Sequence, residues 1–167
     1  MEEIKNANGV EFFFDEEYGI NMKNPKTIKK YTQINEKYQK MPFPAGMFCC
    51  FSNEQYEQAK KEQLKLGVDV EKEKIFKIGA GVYGTAKAIK AYEKRVEARC
   101  EEMRQCNPQE VYFYEYNNYE AMYNYDGDED AVKTVVNIFG KEVAKTLKRY
   151  RAVYTLEEII NEMEGKK

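Results

Sequence analysis

Residues 46–55, with the sequence GMFCCFSNEQ, join a continuous apolar run to a polar helix start. The run at 46–51 is short and apolar throughout, which is typical of a buried strand. Ser52, with Gln55 three residues later, is typical of the capping box that opens a helix. We therefore predict a strand that leads directly into a helix, and Gly67 is the expected end of that helix.

Two further strands are predicted in the first half of the chain, from Val10 to Phe14 and from Lys74 to Ile78. Asn24-Pro25 is predicted to cap and begin a helix that stops before Pro42. Further helices are predicted at 85–106, 108–125, 128–138, 141–153 and 155–164. Because the strands and most helices are segregated, we expect an α+β fold, with a small, about three-stranded sheet in the N-terminal half packed with helices and a helical C-terminal half. Residues 1–167 are predicted to be a single domain.

The composition excludes several classes of function. The 167 residues carry 27 basic and 29 acidic side chains and no His, for a net charge of −2. Without His, the chain cannot build a Ser-His or Cys-His nucleophile pair or a His-ligated metal site. A balanced charge is not typical of nucleic-acid binding, so no direct nucleic-acid partner is expected. No apolar stretch is long enough to span a membrane and the N-terminus has no secretory signal, so we expect a cytoplasmic protein with reduced cysteines.

The loop after the third predicted strand contains Gly79, Gly81 and Gly84, spaced as in a dinucleotide-binding loop, with Tyr83 among them. Such a loop binds phosphate through backbone N–H groups at a helix N-terminus. The strand with an acidic end that should follow the helix is missing from the pattern. Two interpretations stay open: a nucleotide site, or a glycine-rich turn between two strands with 82–85 as the second strand.

The segment at 111–125 is rich in tyrosine and has two apolar stripes at helical spacing. The second stripe consists of Tyr112, Tyr116, Tyr119 and Tyr123. One stripe is enough to dock a helix on a core, so the second indicates either burial on both sides or a surface offered to a partner.

Acidic residues cluster in and after this segment, and no Lys or Arg lies between Gln109 and Val132. The acidic residues that we predict to bind a partner are Glu115, Glu120, Asp126 and Asp128. A host protein with a basic surface is the predicted partner of this patch. The acids lack the spacing of a calcium loop, and the cysteine pairs are poorly placed for chelation, so we expect no metal and no cofactor.

Three features of the chain resemble those of a known group of proteins. They are the motif Phe48-x-x-Phe51 with the capping box, the glycine loop after Ile78, and the motif Tyr114-Glu115-x-Asn117-Asn118-x-Glu120 with the acidic turn that follows it. Over roughly Phe48 to Asp130, the chain resembles small proteins of phages and conjugative elements of gut Firmicutes and Bacteroidetes. The resemblance implies His where this chain has Tyr119, so it carries no catalytic or metal role to that position. It implies no activity, but it does imply a setting in which small proteins inhibit host machinery, including defence systems.

These observations predict a non-enzymatic binding protein that occludes a host protein through the Tyr-rich acidic surface, with aromatic side chains as anchors. The alternative is a nucleotide-binding or nucleotide-sequestering domain that uses the loop at 79–84. An enzyme that uses Glu115 or Glu120 is a third and weaker hypothesis. The sequence leaves the oligomeric state open, and a homo-oligomer is compatible with it.

Overall fold

The structure is a computed structural model that describes residues 3–15, 19–118 and 127–165. Over these ranges it has six strands and seven helices, and the predicted α+β class is confirmed, with two three-stranded antiparallel sheets instead of one. The strands are β1 (Lys5–Ala7), β2 (Val10–Asp15), β3 (Gly19–Lys23), β4 (Met47–Cys49), β5 (Ile75–Gly79) and β6 (Val82–Thr85). The helices are α1 (Ile28–Gln39), α2 (Asn53–Lys65), α3 (Ala86–Met103), α4 (Pro108–Asn118), α5 (Gly127–Phe139), α6 (Lys141–Ala144) and α7 (Leu156–Met163).

The chain divides into two compact units. The terminal unit comprises Met1–Lys37 and Cys100–Lys167, and the central unit comprises Tyr38–Arg99. The first sheet, in the order β1-β2-β3, belongs to the terminal unit, and the second, in the order β4-β6-β5, belongs to the central unit. The interpretation of residues 1–167 as one domain stays a prediction.

The first sheet of the terminal unit begins with a tight hairpin. Ala7 pairs with Val10, and the two residues between them, Asn8 and Gly9, have φ of 52° and 81°. Two positive φ values define a turn whose twist matches that of the flanking strands, and Asn-Gly is its most favoured sequence. Only the second strand of this hairpin was predicted, although the Asn-Gly pair is the sequence signal for both strands.

The core of the terminal unit forms where α4 meets the first sheet and α5. The ring of Phe12 lies 4.7 Å from that of Phe113 and 5.5 Å from that of Tyr150, measured between ring centroids. Phe12 and Phe113 have no solvent exposure. Burial of such rings is the main favourable term in the folding of this unit, since each contributes roughly 1.5–3 kcal/mol.

The second sheet, in the central unit, packs one face on α2. The rings of Phe48 and Tyr83 stack with centroids 5.9 Å apart, and Ala59 of α2 is buried in the same cluster. The buried Gln63 side chain accepts a hydrogen bond from the Gly46 amide at 2.7 Å and donates one to a β4 carbonyl. The predicted strand-to-helix unit is therefore confirmed and held together by backbone-to-side-chain bonds.

Predicted helix starts were confirmed where the capping side chain is local. The Ser52 hydroxyl accepts from the Gln55 amide, the Asn107 side chain accepts from the amides at 109 and 110, and Thr155 forms a complete capping box. The predicted start at Asn24-Pro25 is wrong, because α1 begins at Ile28 and Asn24 has a left-handed φ of 53°. The helix predicted at 141–153 is also shorter, since α6 ends at Ala144.

Candidate functional site

The Tyr-rich helix α4 directs Tyr112 into the interior of the terminal unit. Asn107 caps the helix and Pro108 occupies its first position, which fixes the faces of the residues that follow. The Tyr112 hydroxyl donates to Asp128 Oδ1 at 2.6 Å and accepts from the Tyr150 amide at 2.9 Å. Tyr112 therefore has no solvent exposure and both of its hydroxyl functions are used within the unit.

Asp128 is the centre of this buried polar network. Its carboxylate accepts hydrogen bonds from two guanidinium nitrogens of Arg149, at 3.1 Å and 2.6 Å, in a fork geometry that suits carboxylates. Burial raises the pKa of the Tyr112 hydroxyl well above its usual range, and the neighbouring Asp128 charge and hydrogen bond raise it further. The network joins α4, α5 and the segment after α6, so these residues stabilise the fold.

Two acids of α4 also point inward. Glu115 accepts a hydrogen bond from the Tyr31 hydroxyl at 2.6 Å, and both side chains are buried. Glu110 accepts from the amides of Thr27 and Ile28 at 2.9 Å and 3.1 Å. Glu110 thus caps α1 from another helix, because the local cap predicted at Asn24 does not form.

The predicted partner-binding residues therefore divide into three groups. Tyr112, Glu115 and Asp128 lie in the interior and offer no surface to a partner in this structure. Tyr116 is half-buried, its ring lies 5.9 Å from that of Tyr112, and burial raises its pKa. The remaining four, Tyr119, Glu120, Tyr123 and Asp126, lie outside the described residues. The acidic aromatic surface thus stays a prediction for Tyr116 and these four residues.

The glycine loop of the central unit is the turn of a β-hairpin. Gly79 ends β5, Gly81 has a φ of 71° in the turn, and Tyr83 and Gly84 belong to β6. A Cβ on Gly81 would lie 2.3 Å from the ring of Phe51, so this glycine is required both by its φ and by the ring packed on it. Of the two interpretations, the turn between two strands is the one that the structure forms.

The strand-to-helix geometry of a phosphate-binding loop does not form here. Helix α3 starts only after β6, and its first turn is already capped, since Thr85 Oγ1 accepts from the Ala88 amide at 3.1 Å. The Thr85 amide donates to the Gly46 carbonyl. The glycines are therefore not arranged around the free amides on which the phosphate-binding hypothesis depended.

The hairpin instead forms one wall of an open groove of about 560 Å³, which we call the aromatic groove. Its volume lies within the range of roughly 300–1,000 Å³ that is usual for ligand sites. The groove is lined by Phe48, Cys50, Phe51, Ser52, Asn53, Tyr56, Ile75, Lys77, Gly81 and Tyr83. Gly81 and Tyr83 were predicted as site residues, but Phe51, Tyr56 and Lys77 were not. Phe51 precedes α2, Tyr56 lies on α2, and Lys77 lies on β5 of the same hairpin.

Phe51 is the most exposed large apolar side chain among the described residues, at 72%. It immediately precedes the cap of α2, a position where an apolar residue normally packs against its own helix. Its ring lies on Gly81 instead, and most of it faces solvent. An unbroken apolar run that continues to the helix cap was the signal in the sequence, but the pattern gave no indication of which ring would be exposed.

The cysteines are all free, with Cys49 exposed and Cys50, Cys100 and Cys106 buried. In the described ranges, no group of three or more Cys, Asp or Glu side chains is placed to hold a metal ion. No helix there is long and apolar enough to cross a membrane.

The chain belongs to the family of unknown function DUF7659, whose family model matches residues 30–156. No curated protein and no solved structure matches the chain. The match takes in the aromatic groove and the Tyr-rich helix, and it confirms membership of a family without an assigned function. The phage and mobile-element setting that the resemblance implied stays a proposal.

Proposed function

We propose that this protein is a non-enzymatic binding protein that docks a segment of another protein in the aromatic groove of the central unit. The observation that carries this proposal is the ring of Phe51, which is 72% exposed at the rim of a groove that also contains Tyr56 and Tyr83. Large exposed apolar side chains around a groove are typical of interaction sites. Aromatic rings are also the side chains that most often dominate binding energy.

The expected occupant is an extended segment with apolar side chains and at least one carboxylate. Lys77 lines the groove and its side chain is exposed. Its ammonium favours an acidic segment. Strand β5 lies at the edge of the described sheet, so an extended segment that pairs with it would continue the sheet.

In its fuller form, the proposal keeps the setting that the resemblance implies, in which a small phage or mobile-element protein occludes a host defence protein. Tyr116, with Tyr119, Tyr123, Glu120 and Asp126, would add a second contact, to a basic surface on that host protein. Tyr112, Glu115 and Asp128 would support this contact from the interior.

The test begins with selection of peptides that bind the full-length protein, and each variant is then titrated with the enriched peptides. We expect the peptides to combine apolar and acidic residues, and to bind the Phe51→Ala and Tyr83→Ala variants at least about tenfold more weakly. Leu66→Ala is the matched control, because Leu66 is 59% exposed and does not line the groove. Equal binding to the wild type and to both groove variants would contradict the proposal.

The nucleotide alternative gains one specific observation, which is that Tyr83 and Gly81 line the same groove as Lys77. A base stacked on Tyr83 with a phosphate near Lys77 would use the groove without a glycine-loop cradle. A thermal-shift screen with nucleotides and cyclic dinucleotides decides between the two occupants. A rise in Tm that Tyr83→Ala abolishes would favour the nucleotide, and no shift at millimolar ligand would remove it.

A further inference from the structure

A second cavity in the central unit has a different chemistry from the aromatic groove. This cavity of about 210 Å³, which we call the arginine pocket, lies between α3 and the chain that leads out of α1. It is lined by Tyr38, Gln39, Met41, Phe43, Tyr92, Arg95, Val96 and Arg99. On α3, Arg95 and Val96 follow Tyr92 by three and four residues and precede Arg99 by four and three, so the four residues share one face of the helix.

The walls of the arginine pocket are fixed by two contacts. Arg95 Nη1 donates to the Pro42 carbonyl at 2.6 Å, and the ring of Phe43 meets that of Tyr92 edge to face with centroids 6.1 Å apart. The loop between these contacts is stiff, because Pro42 and Pro44 flank Phe43. The pocket is therefore held open by structure already in place, and Arg95 acts as a positioning residue.

Arg99, one turn further along α3, is the group whose chemistry the fold leaves unused. Its Nε is buried and has no hydrogen-bond partner among the described residues. No carboxylate in that part of the chain forms an ion pair with Arg95 or Arg99, whereas the Lys60 ammonium lies within 3.1 Å of two carboxylates. Buried donors without an acceptor are rare in folded proteins and call for a specific explanation.

We propose that the arginine pocket binds a small oxyanion attached to an aromatic body. The guanidinium of Arg99 would donate to the oxyanion, since its planar fork suits carboxylate and phosphate oxygens. The rings of Tyr38 and Tyr92 would take the aromatic body. The cavity is smaller than the roughly 300 Å³ at which pockets for drug-sized ligands begin, so one ring with one anionic group is the expected size.

This site is independent of the aromatic groove, and the two sets of lining residues have no member in common. A ligand here would be a small molecule, or a single aromatic and anionic side chain of a partner. Loss of one site would leave the other intact, so the two proposals fail or succeed separately.

The test is a titration of the full-length protein with phenyl phosphate and with phenylacetate, followed by NMR of the α3 amides or by calorimetry. We expect saturable binding of at least one probe near about 1 mM, and weaker binding as salt is added. The stronger of the two probes identifies the oxyanion. Benzyl alcohol, which has the ring but no charge, is expected not to saturate.

Arg99→Leu is expected to weaken binding by at least about tenfold, because it removes charged hydrogen bonds. Arg99→Lys is expected to fall between this variant and the wild type, since Lys keeps the charge but loses the fork. Lys94→Gln is the matched control, as Lys94 lies on the same helix, is exposed and does not line the pocket.

Thermal melts of each variant show whether it folds. If Arg99→Leu does not fold, Tyr92→Ala gives an independent loss of binding, because it removes a ring of the pocket and leaves the guanidinium in place. The absence of saturable binding for both charged probes would overturn the proposal. So would equal binding by the wild type and by folded Arg99→Leu or Tyr92→Ala.

Discussion

The terminal and central units use the same kinds of side chain in opposite ways. In the terminal unit, Tyr112 and Asp128 are buried and hydrogen-bonded to one another. In the central unit, Tyr83 lines an open groove and Lys77 is exposed beside it. A tyrosine or a charge is thus available for binding only where the fold does not already use it, and the two units can be told apart by the partners of these groups.

The largest expected effect is that of Asp128→Ala. It leaves the Arg149 guanidinium, whose side chain is only 17% exposed, without its carboxylate, and the Tyr112 hydroxyl without its acceptor. Removing one partner of a buried ion pair costs about 3–5 kcal/mol of unfolding free energy, which chemical denaturation measures. Glu157→Ala is the control, as Glu157 is also in the first turn of a helix but is exposed, and a change below about 0.5 kcal/mol is expected. Equal effects of both changes would show that Asp128 stabilises the terminal unit no more than an exposed carboxylate does, and would contradict the buried network on which the comparison rests.

Tyr112→Phe is expected to cost about 1–3 kcal/mol, because it removes one hydroxyl that both donates and accepts in the interior. The pKa of Tyr112 is raised above its ordinary value of 10.0, so its stabilising effect is complete below that pH. The effect is lost as the pH rises further, since the unfolded chain then releases a proton that the folded chain keeps. Denaturation across alkaline pH should therefore show a shallower loss of stability for Tyr112→Phe than for the wild type. An unchanged slope would contradict the assignment.

Gly81→Ala tests the central unit and should cost about 1–2 kcal/mol, because Gly81 has a φ of 71° and its Cβ would meet the Phe51 ring. In a Phe51→Ala background the clash disappears and only the cost of the backbone conformation remains, so the cost should fall. Gly79→Ala is the control, since a Cβ there has open space and no positive φ is required. Additive effects of Gly81→Ala and Phe51→Ala in thermal melts would show that the ring does not rest on the turn.

The smallest expected effect concerns a half-buried ion pair of the terminal unit, between Glu129 and Lys133. The hydrogen bond from Lys133, at 2.9 Å, lowers the pKa of Glu129 below its ordinary value of 4.5. A lowered pKa stabilises the fold above that pH, and the effect is lost as the pH falls through the lowered value. Glu129→Gln should lower the unfolding free energy by about 0.5 kcal/mol at neutral pH, and the variant should lose less stability than the wild type as the pH falls. Glu142→Gln, at a side chain that is 84% exposed, should change neither quantity in acid denaturation.

Local signals predicted the elements that depend on neighbouring residues. The caps at Ser52, Asn107 and Thr155 were confirmed because donor and acceptor lie within three residues of each other. The cap of α1 could not be predicted in the same way, since Glu110 reaches Thr27 and Ile28 from 82 or 83 residues away. Where a distant carboxylate caps a helix, the local Asn24-Pro25 pattern misleads.

The candidate site shows the same limit. The glycine spacing at 79–84 was visible, but whether the glycines formed a turn or a cradle depended on the pairing of β5 with β6. The tyrosine stripe of α4 was also visible. The Tyr112 hydroxyl found its partners on segments distant in sequence, Asp128 on α5 and the Tyr150 amide, and no helical periodicity contains that information.

The sequence by itself determined the α+β class, most of the helices and the absence of His chemistry, because composition and periodicity act locally. Only the tertiary structure decided which tyrosines and charged groups are buried and hydrogen-bonded in the interior, and which line the aromatic groove and the arginine pocket. The physical reason is that burial and hydrogen-bond satisfaction depend on partners brought together by packing, such as Arg149 for Asp128 and Gly81 for Phe51.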